Sequence, residues 1–536
     1  MKNELFLPWS CIMRTVVTSL LVLGLFTALA GADDKDKKKP KFTIGKETTY
    51  VSGPVEKDGT IDYATALNER LSKSIKPKDN ANVLLWKAFG PRPEGTRMPP
   101  EFFKWMGVPE PPERGDYLID LGRYMKEHLK IEPGSAEANE IYEQQGRATQ
   151  RPWTAQDYPA LASWLRANEK ALAVAVEATK RPHYFSPLTP RKTEKGSPGL
   201  ISALLPGVQK CREIATALTA RAMLNAAQGR PDEAWQDLLA CHRLGRHVAR
   251  GSTLIEGLVG LAVDTIASKA DVAFLDGTKL TEKQLRGCLR DLQNLPSLPP
   301  AADRVDLGER FMFLDCVMMV HRHGLGYLEL LAGGPAKKAD PQLAHLLEDV
   351  DWDPVLRKAN RWYDRLAAAM RVRHRGERER QLDQIEEELK GLKKALTAEG
   401  GLVKLLMAKD AAKARGEVLS DVLITLLIPA VRKVQQADDR VGQVQANVRV
   451  AFALACYRRA NGRYPEKLDQ LAPKYLAKVP GDVFNGQALV YRPAEGGYLL
   501  YSVGVNGKDE QGRSYQDVPP GDDLAVRMPV PKVPRK

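Results

Sequence analysis

An acidic segment near the C-terminus carries the side chains best suited to bind a metal ion. Residues 506–512 read Asn-Gly-Lys-Asp-Glu-Gln-Gly, and aspartates follow at positions 517, 522 and 523. Ca²⁺ takes roughly six to eight oxygen ligands, and glycines let a backbone curve around the ion. The segment therefore predicts a Ca²⁺ site that pins a loop rather than catalysing a reaction; a solvated acidic turn is the alternative. The predicted metal ligands are Asn506, Asp509, Asp517, Asp522 and Asp523.

Histidines are few, and one grouping lies near carboxylates. His321 and His323 stand close to Asp315 and Glu329, with His345 further along the chain. A metal site needs three converging ligands, and a spacing of two residues does not place both histidines on one face of a helix. We therefore favour ordinary surface histidines over a metal site at this position.

Two acidic residues interrupt an apolar segment. Residues 253–267 would be apolar on nearly every face of a helix except at Glu256 and Asp264. A buried acid pair would be a candidate active site, but we favour acids that cap packing contacts or reach arginine side chains. No GxGxxG, Walker A, GxSxG, HExxH or EF-hand pattern occurs. The sequence thus predicts no catalytic and no cofactor-binding residue.

The elements that would position the acidic segment are a helix and two strands. Apolar residues at helical steps predict a helix over 444–457, which Asn461-Gly462 ends because both residues tolerate a left-handed backbone. Residues 488–492 and 498–503 have the composition of two compact strands around a turn at 493–497. A long helix followed by a small antiparallel sheet is predicted.

Three stretches follow one another in about the last fifth of the chain: Ala-Cys-Tyr-Arg-Arg-Ala-Asn-Gly-Arg-Tyr-Pro (455–465), Val-Pro-Gly-Asp-Val-Phe-Asn-Gly (479–486) and Tyr-Leu-Leu-Tyr-Ser-Val-Gly-Val-Asn-Gly (498–507). Their order resembles the periplasmic domain of type II secretion major pseudopilins. The resemblance implies a small α+β domain over 426–527 with a calcium-binding loop after its Tyr-Ser-x-Gly strand. Val483 stands where that family has proline, and Asn506 where it usually has aspartate.

The membrane helix that begins a pseudopilin has no counterpart directly upstream of this region. The apolar run within residues 421–437 is far shorter than the roughly 20 residues that span a bilayer. No Phe-x-x-x-Glu motif precedes it. Filament assembly by the ordinary route is therefore not expected.

The N-terminus predicts export. Arg14 and the apolar run over 16–30, which ends in Ala28-Leu29-Ala30, have the pattern of a secretory signal over 1–30; an uncleaved anchor is the alternative. A flexible basic segment follows over 31–59. The formal net charge of +13 allows binding of polyanions, but spacer segments and exposed helix faces are the favoured interpretation. We expect a periplasmic or envelope location, no nucleic-acid partner and no transmembrane span after signal cleavage.

The middle of the chain predicts a helical body over 60–425, a bundle or solenoid, with Pro-rich connections at 90–115 and 181–199. Helices over 208–228 and from 233 onward, separated at 229–232, resemble a single tetratricopeptide-like hairpin. A basic Pro-rich tail covers 528–536. The predicted fold class is mainly α: a helical bundle or solenoid-like body followed by a small pseudopilin-like α+β domain.

The cysteines beyond the signal predict buried thiols rather than disulfides: Cys211, Cys241, Cys288, Cys316 and Cys456.

These features favour an exported, non-enzymatic envelope protein that acts through protein–protein interaction. The resemblance implies a protein associated with, or derived from, a type II secretion or pilin-like system. The sequence does not determine the oligomeric state. The alternative is an exported hydrolase with a site in the helical body. A pocket that joins Glu256, Asp264 and a histidine would favour that alternative. A third hypothesis, binding of surface polyanions, predicts binding that weakens steeply with salt.

Overall fold

The protein is mainly helical and carries one small antiparallel sheet, which confirms the predicted mainly α class. The computed structural model describes residues 42–190, 199–205, 207–324, 327, 350–397, 411–428 and 430–531. The helices and strands in chain order are α1 (Tyr63–Ser72), α2 (Ala81–Phe89), α3 (Pro100–Met106), α4 (Leu121–Tyr124), α5 (Ala136–Ala148), α6 (Pro159–Ala167), α7 (Glu169–Ala178), α8 (Val208–Ala227), α9 (Pro231–Val248), α10 (Leu254–Gly277), α11 (Glu282–Asn294), α12 (Ala301–Arg304), α13 (Arg310–His323), α14 (Trp352–Met370), α15 (Arg375–Thr397), α16 (Ala411–Leu427), α17 (Val431–Asn461), β1 (Val490–Ala494), β2 (Gly497–Ser502) and β3 (Leu524–Met528).

The chain divides into two compact units, each assembled from separated segments. The first comprises Met1–Lys73, Pro187–Leu204 and Ala302–Val431, and the second comprises Ser74–Ser186, Leu205–Ala301 and Arg432–Lys536. Prediction along the sequence gave contiguous segments, since hydrophobic periodicity reports local elements and not the partners they meet. The predicted signal over 1–30 and residues 532–536 of the tail lie outside the described residues.

The first unit is held together by amphipathic helices and by a buried arginine. The side chain of Arg310, on α13, is almost fully buried and lies 4.3 Å from the ring centroid of Tyr50. Its guanidinium also donates to Asp306 (2.6 Å) and Asp364 (2.7 Å). Asn360, on α14, donates to the backbone oxygen of Thr48 at 2.6 Å. These contacts fix the segment that precedes α1 onto helices far away in sequence.

The second unit contains a closely packed helical trio, α8, α9 and α10. The predicted helix pair is present, because α8 ends at Ala227 and α9 begins at Pro231. Two glycines let α9 and α10 approach each other: a Cβ at Gly245 would lie 2.8 Å from the Gly260 oxygen, and one at Gly260 would lie 2.5 Å from the Gly245 oxygen. Larger side chains would force these two backbones apart. Polar side chains on α9 and α10 are thereby brought within hydrogen-bond distance.

The C-terminal part of the second unit is α17 followed by the sheet, in the order β1-β2-β3. Both strand pairs are antiparallel, and Leu500 on the central strand faces Tyr491 on one side and Val526 on the other. Asn447, on α17, donates to the backbone oxygen of Leu524 at 2.8 Å. A small apolar core lies between helix and sheet, formed by Phe484, Val503 and Leu524 with Val444 and Val505 against it.

The Pro-rich connection at 90–115 is more regular than expected, because residues 100–106 form α3. A proline is tolerated in the first helical turn, where its missing N–H has no intrahelical partner, and Pro100 occupies that position. Phe102 and Phe103 are buried against Trp86, with ring centroids 5.0 and 5.1 Å away. Packing in the core explains these aromatic residues.

Two further sequence expectations concern cysteines and membrane spans. The five cysteines beyond the predicted signal are free and buried, as expected. Burial raises the pKa of each thiol, so these groups are inert. Within the described ranges, no helix combines the length and the apolar character needed to cross a membrane.

Candidate functional site

The most concentrated set of titratable side chains lies between α9 and α10 in the second unit. His242 and Arg246 are four residues apart on α9, and Asp264 and Asp271 are seven residues apart on α10. These spacings put each pair on one face of its helix. We call these four residues, together with Gln445 on α17, the buried network.

Each side chain of the network is bonded to another. The Nδ1 atom of His242 lies 2.8 Å from Asp264 Oδ1, and its Nε2 atom lies 2.8 Å from Asp271 Oδ2. Arg246 Nη1 donates to Asp264 Oδ1 at 2.5 Å. Gln445 Nε2 donates to the other oxygen, Oδ2, at 2.6 Å. The network therefore ties α9, α10 and α17 together.

Burial and charge act in opposite directions on the groups of the network. Burial alone would lower the pKa of His242, but the charges of Asp271 and Asp264 outweigh it and raise that pKa to about 9. Burial would raise the pKa of Asp264, yet His242 and Arg246 hold it well below its usual range. The pKa of Asp271 is raised by burial, against the opposing effect of His242. His242 and Asp271 therefore shift each other's pKa in the direction opposite to the effect of burial.

This arrangement leaves neither ring nitrogen of His242 available for acid or base catalysis. A general base must reach the proton that it abstracts from a substrate, but both nitrogens of His242 already face carboxylate oxygens. His242, Asp264 and Asp271 are almost inaccessible to solvent. The adjoining cavity measures about 10 Å³, which is room for one water-sized species. The network is built for structure, and it stabilises the packing of three helices.

Glu256 lies apart from the network, although it is on the same helix. Its side chain closes a capping box with Thr253, whose N–H and Oγ both donate to Glu256 Oε2 at 3.1 and 3.0 Å. The favoured interpretation is correct for Asp264, which reaches an arginine. Glu256 instead caps the start of α10, a role that is not predicted from the sequence. The structure joins Asp264 to a histidine but not to Glu256, so the pocket that would have favoured a hydrolase is not formed.

In the first unit, Asp315 on α13 carries a buried carboxyl group. Its Oδ2 accepts a hydrogen bond from the Leu200 N–H at 2.6 Å. Burial raises the pKa of Asp315 to about 7. Gly199 has a positive φ of 80°, and a Cβ there would lie 2.6 Å from the same oxygen, so glycine is required. Asp315 thus fastens residues 199 and 200 to α13.

The histidines of α13 serve in packing. The ring of His321 lies 5.6 Å from that of Phe42 and 5.0 Å from that of Trp352, edge to face in both pairs. His323 stacks against Tyr327 at 6.4 Å. His345 and Glu329 lie outside the described residues. These contacts agree with the interpretation of His321 and His323 as ordinary histidines.

The predicted calcium ligands lie in the connection between β2 and β3, which we call the acidic loop (residues 503–523). Two of them pair with arginines. Asp517 Oδ2 accepts from Arg527 Nη2 at 2.8 Å, and this bond lowers the pKa of Asp517 to about 2. Asp522 Oδ1 accepts from Arg440 Nη1 at 2.7 Å. Their negative charges are already compensated.

The other three predicted ligands bond mainly within the loop. Asn506 Oδ1 accepts from the Lys508 N–H at 2.7 Å. Asp509 Oδ1 accepts from Tyr501 Oη at 2.9 Å. Asp523 Oδ2 accepts from the Gly512 N–H at 2.7 Å. Burial, followed by the nearby charge of Glu510, raises the pKa of Asp523 to about 6. These bonds make a polar turn with its own internal partners.

In the described part of the chain, no three His, Cys, Asp or Glu side chains are grouped so that they could hold a metal ion. The predicted ligands as arranged do not fit Ca²⁺, because two pair with arginines and the others bond to neighbouring donors. The sequence predicts calcium binding by Asn506, Asp509, Asp517, Asp522 and Asp523. The observed pairings favour the alternative, a solvated polar turn, and a calcium titration decides between the two.

The acidic loop also presents apolar side chains to solvent. Among large apolar residues in the described ranges, the two most exposed are Val518 (96%) and Tyr515 (61%). The segment that carries them, residues 514–520, is called the loop tip. It is closed at its base, because the Gly521 N–H donates to the Ser514 oxygen at 3.0 Å and the Ser514 N–H donates to Asp517 Oδ2 at 2.6 Å. The tip is thus a defined protrusion.

Sequence reasoning missed His242, Arg246 and Asp271. The predicted helix stopped at residue 267, whereas α10 continues to Gly277 and places Asp271 two turns after Asp264. A search for polar residues at helical spacing on adjacent helices would have found the signal. Gln445 carries no such signal, since its partner is remote in sequence.

Comparison with protein-family models, with curated proteins and with solved structures finds no significant match to this chain.

Proposed function

We propose that this chain is an exported, non-enzymatic envelope protein that binds a partner protein through the loop tip of a pseudopilin-like C-terminal domain. The observation that carries the proposal is the contrast in exposure within that domain. The carboxylates of Asp517 and Asp522 pair with arginines of the domain. In contrast, Tyr515 and Val518 project into solvent from a closed turn. Aromatic and apolar side chains on a preorganised support are typical of binding surfaces.

The order of elements supports the pseudopilin-like interpretation. The 31-residue helix α17 is followed, after a connection over residues 462–489, by a three-stranded antiparallel meander. The helix packs on the sheet through Asn447 and Val444. This arrangement corresponds to the helix and sheet that the resemblance implies, and the loop that would bind calcium in the family connects β2 to β3 here.

The packing of α17 argues for a role other than that of a filament subunit. In a pilin-like filament, helices of different subunits pack together. Here α17 is covered by helices of its own unit: Phe452 lies 5.5 Å from the ring of Trp235, and Gln445 bonds to Asp264. Helix α17 is therefore packed within its own chain. The domain therefore serves as a docking module, associated with or derived from a secretion-type assembly.

The rigidity of the acidic loop favours binding by a preformed surface. Arg527, on β3, donates to Asp517 Oδ2 and also to the Gly512 oxygen at 2.6 Å. The Asp523 N–H donates to the Arg513 oxygen at 3.0 Å. A loop that is ordered before it meets its partner loses less conformational entropy on binding.

Site-specific photo-crosslinking tests the proposal. A photoreactive amino acid replaces Tyr515 or, in a second variant, Val518, in the full chain within cells that produce it. As a control the same amino acid replaces Tyr142, which is 47% exposed on α5. We expect one discrete protein adduct from positions 515 and 518 and none from position 142. Adducts that are absent, or equal at all three positions, would overturn the proposal.

Localisation is tested in the same cells. Fractionation is expected to recover the chain, shortened by the predicted signal over residues 1–30, in the periplasm or envelope. Recovery in the cytoplasm with the N-terminus intact would contradict export.

A further inference from the structure

The buried network borders a small cavity in the second unit. Its polar lining comes from His242, Arg246, Ser268, Gln445 and Arg449, and apolar side chains of α11, the segment after it and α17 close the remainder. The volume of about 10 Å³ holds one water-sized species. Two of the lining residues are arginines, which sets this cavity apart from an ordinary water site.

Arg246 and Arg449 differ in how their charges are compensated. Arg246 donates to Asp264 Oδ1, to the His242 oxygen and to the Pro296 oxygen. Arg449, on α17, is partly buried, and no described residue forms a hydrogen bond or an ion pair with it. Burial and the nearby charge of Arg246 lower the pKa of Arg449, with only Asp264 acting against them. Arg449 thus faces the cavity as a poorly compensated cation.

The charges around the cavity do not cancel. Arg246 and Arg449 are positive and Asp264 is negative. The carboxylates raise the pKa of His242 to about 9, so its imidazolium offsets the charge of Asp271 at neutral pH. One positive charge remains in a poorly solvated place. An uncompensated buried charge is costly, and proteins compensate such charges with a partner.

We propose that this cavity binds one small monovalent anion, of which chloride is the type, between Arg246 and Arg449. A single negative charge matches the residual positive charge. The volume excludes an oxyanion as large as phosphate or sulfate. Gln445 lines the same cavity, and its side-chain amide has a second N–H besides the one that it donates to Asp264. The bound anion would hold α17 against α9 and α10.

The experiment measures the thermal midpoint of the full chain while chloride replaces gluconate at constant ionic strength. A ligand that binds only the folded form raises the midpoint, and the rise follows the occupancy of the site. We expect the midpoint of the wild-type chain to rise by a few degrees over the titration. Bromide should act similarly, whereas perchlorate, which is larger, should have no matching effect.

The key variant is Arg449→Gln, which removes the residual charge. Its midpoint should be insensitive to chloride and, in gluconate, should equal or exceed that of the wild-type chain. Arg243→Gln is the matched control, because Arg243 is a partly buried arginine of α9 that does not line the cavity; this variant should keep the full chloride response.

Three results would overturn the proposal. An equal chloride response in both variants would place the effect at the surface. A wild-type midpoint that does not respond to chloride would leave water as the occupant. Perchlorate that raises the wild-type midpoint as strongly as chloride would exclude a size-selective site. This third result needs only the wild-type chain, so it decides even if Arg449→Gln fails to fold.

Discussion

The buried network and the acidic loop are both rich in carboxylates, yet they differ in how much side-chain surface they expose to solvent. In the network, the hydrogen-bonding atoms of His242 face partners inside a nearly closed space. In the acidic loop, the carboxylates likewise bond within the domain, but the tip exposes Tyr515 and Val518. The comparison shows that a dense set of polar residues does not by itself indicate a site. Exposed apolar surface is the better guide to function.

The largest effect is expected from Asp264→Asn in the network. The substitution removes the carboxylate shared by His242 and Arg246 and leaves two buried cations with less compensation. Loss of one partner of a buried ion pair costs about 3–5 kcal/mol. Urea denaturation of the full chain measures the free energy of unfolding, and hydrogen exchange in α9 and α10 locates the change.

Asp276→Asn on the same helix is the control for this variant. Asp276 is exposed, and its Oδ2 accepts one hydrogen bond from the Val530 N–H, so we expect a change below about 1 kcal/mol. If both variants were equally stable, the network would not be a structural element.

The pH dependence of stability is the second expected effect. Folding raises the pKa of His242 from 6.5 to about 9, so the folded chain binds this proton more tightly than the unfolded chain. The stabilisation is complete below about pH 6.5 and is lost as the pH rises through about 9. Its size is on the order of 3 kcal/mol.

Urea denaturation at several pH values between 6 and 10 measures this loss. The groups that face His242 are Asp264 and Asp271, and Arg246 in turn donates a hydrogen bond to Asp264. In His242→Gln the slope over this range should flatten. A slope that is unchanged in the variant would assign the titration to another group.

A smaller effect is expected from Asp517→Asn in the acidic loop. The variant loses the negative charge that pairs with Arg527, and it weakens the hydrogen bond that closes the loop tip. Because both side chains are partly exposed, the expected destabilisation is about 1 kcal/mol. Faster hydrogen exchange confined to residues 503–523 would confirm a local effect, and a global loss of stability would contradict it.

Calcium titration is expected to give no effect. The arginine-paired carboxylates Asp517 and Asp522 leave too few free oxygens for Ca²⁺ in the observed arrangement. The thermal midpoint of the full chain should therefore be the same with calcium and with a chelator. A rise that Asp523→Asn abolished would establish the predicted calcium site instead.

The sequence predicted single elements well and their partners poorly. The apolar stripe that ends at Asn461-Gly462 located the C-terminal half of α17, and the Ala/Leu-rich run located α8. The third strand was missed, although Leu524, Val526 and Met528 alternate as a half-buried strand does. Its shortness and the preceding acidic residues concealed the pattern.

The network could not be predicted in full, because its members come from three helices. Helical spacing alone connects His242 to Arg246 and Asp264 to Asp271. The approach of α9 to α10 depends on Gly245 and Gly260 meeting face to face, and a sequence read along the chain does not reveal this meeting. The exposure of Val518 was equally hidden, since a valine before two prolines gives no sign of its surroundings.

The most direct test of the central claim compares partner binding and folding in one double variant, Tyr515→Ser with Val518→Ser. We expect the amount of partner recovered with the chain to fall by about tenfold or more, which corresponds to about 1.4 kcal/mol or more of binding energy. The free energy of unfolding should change by no more than about 0.5 kcal/mol, because both side chains are exposed. Full recovery of the partner by a folded double variant would contradict the account.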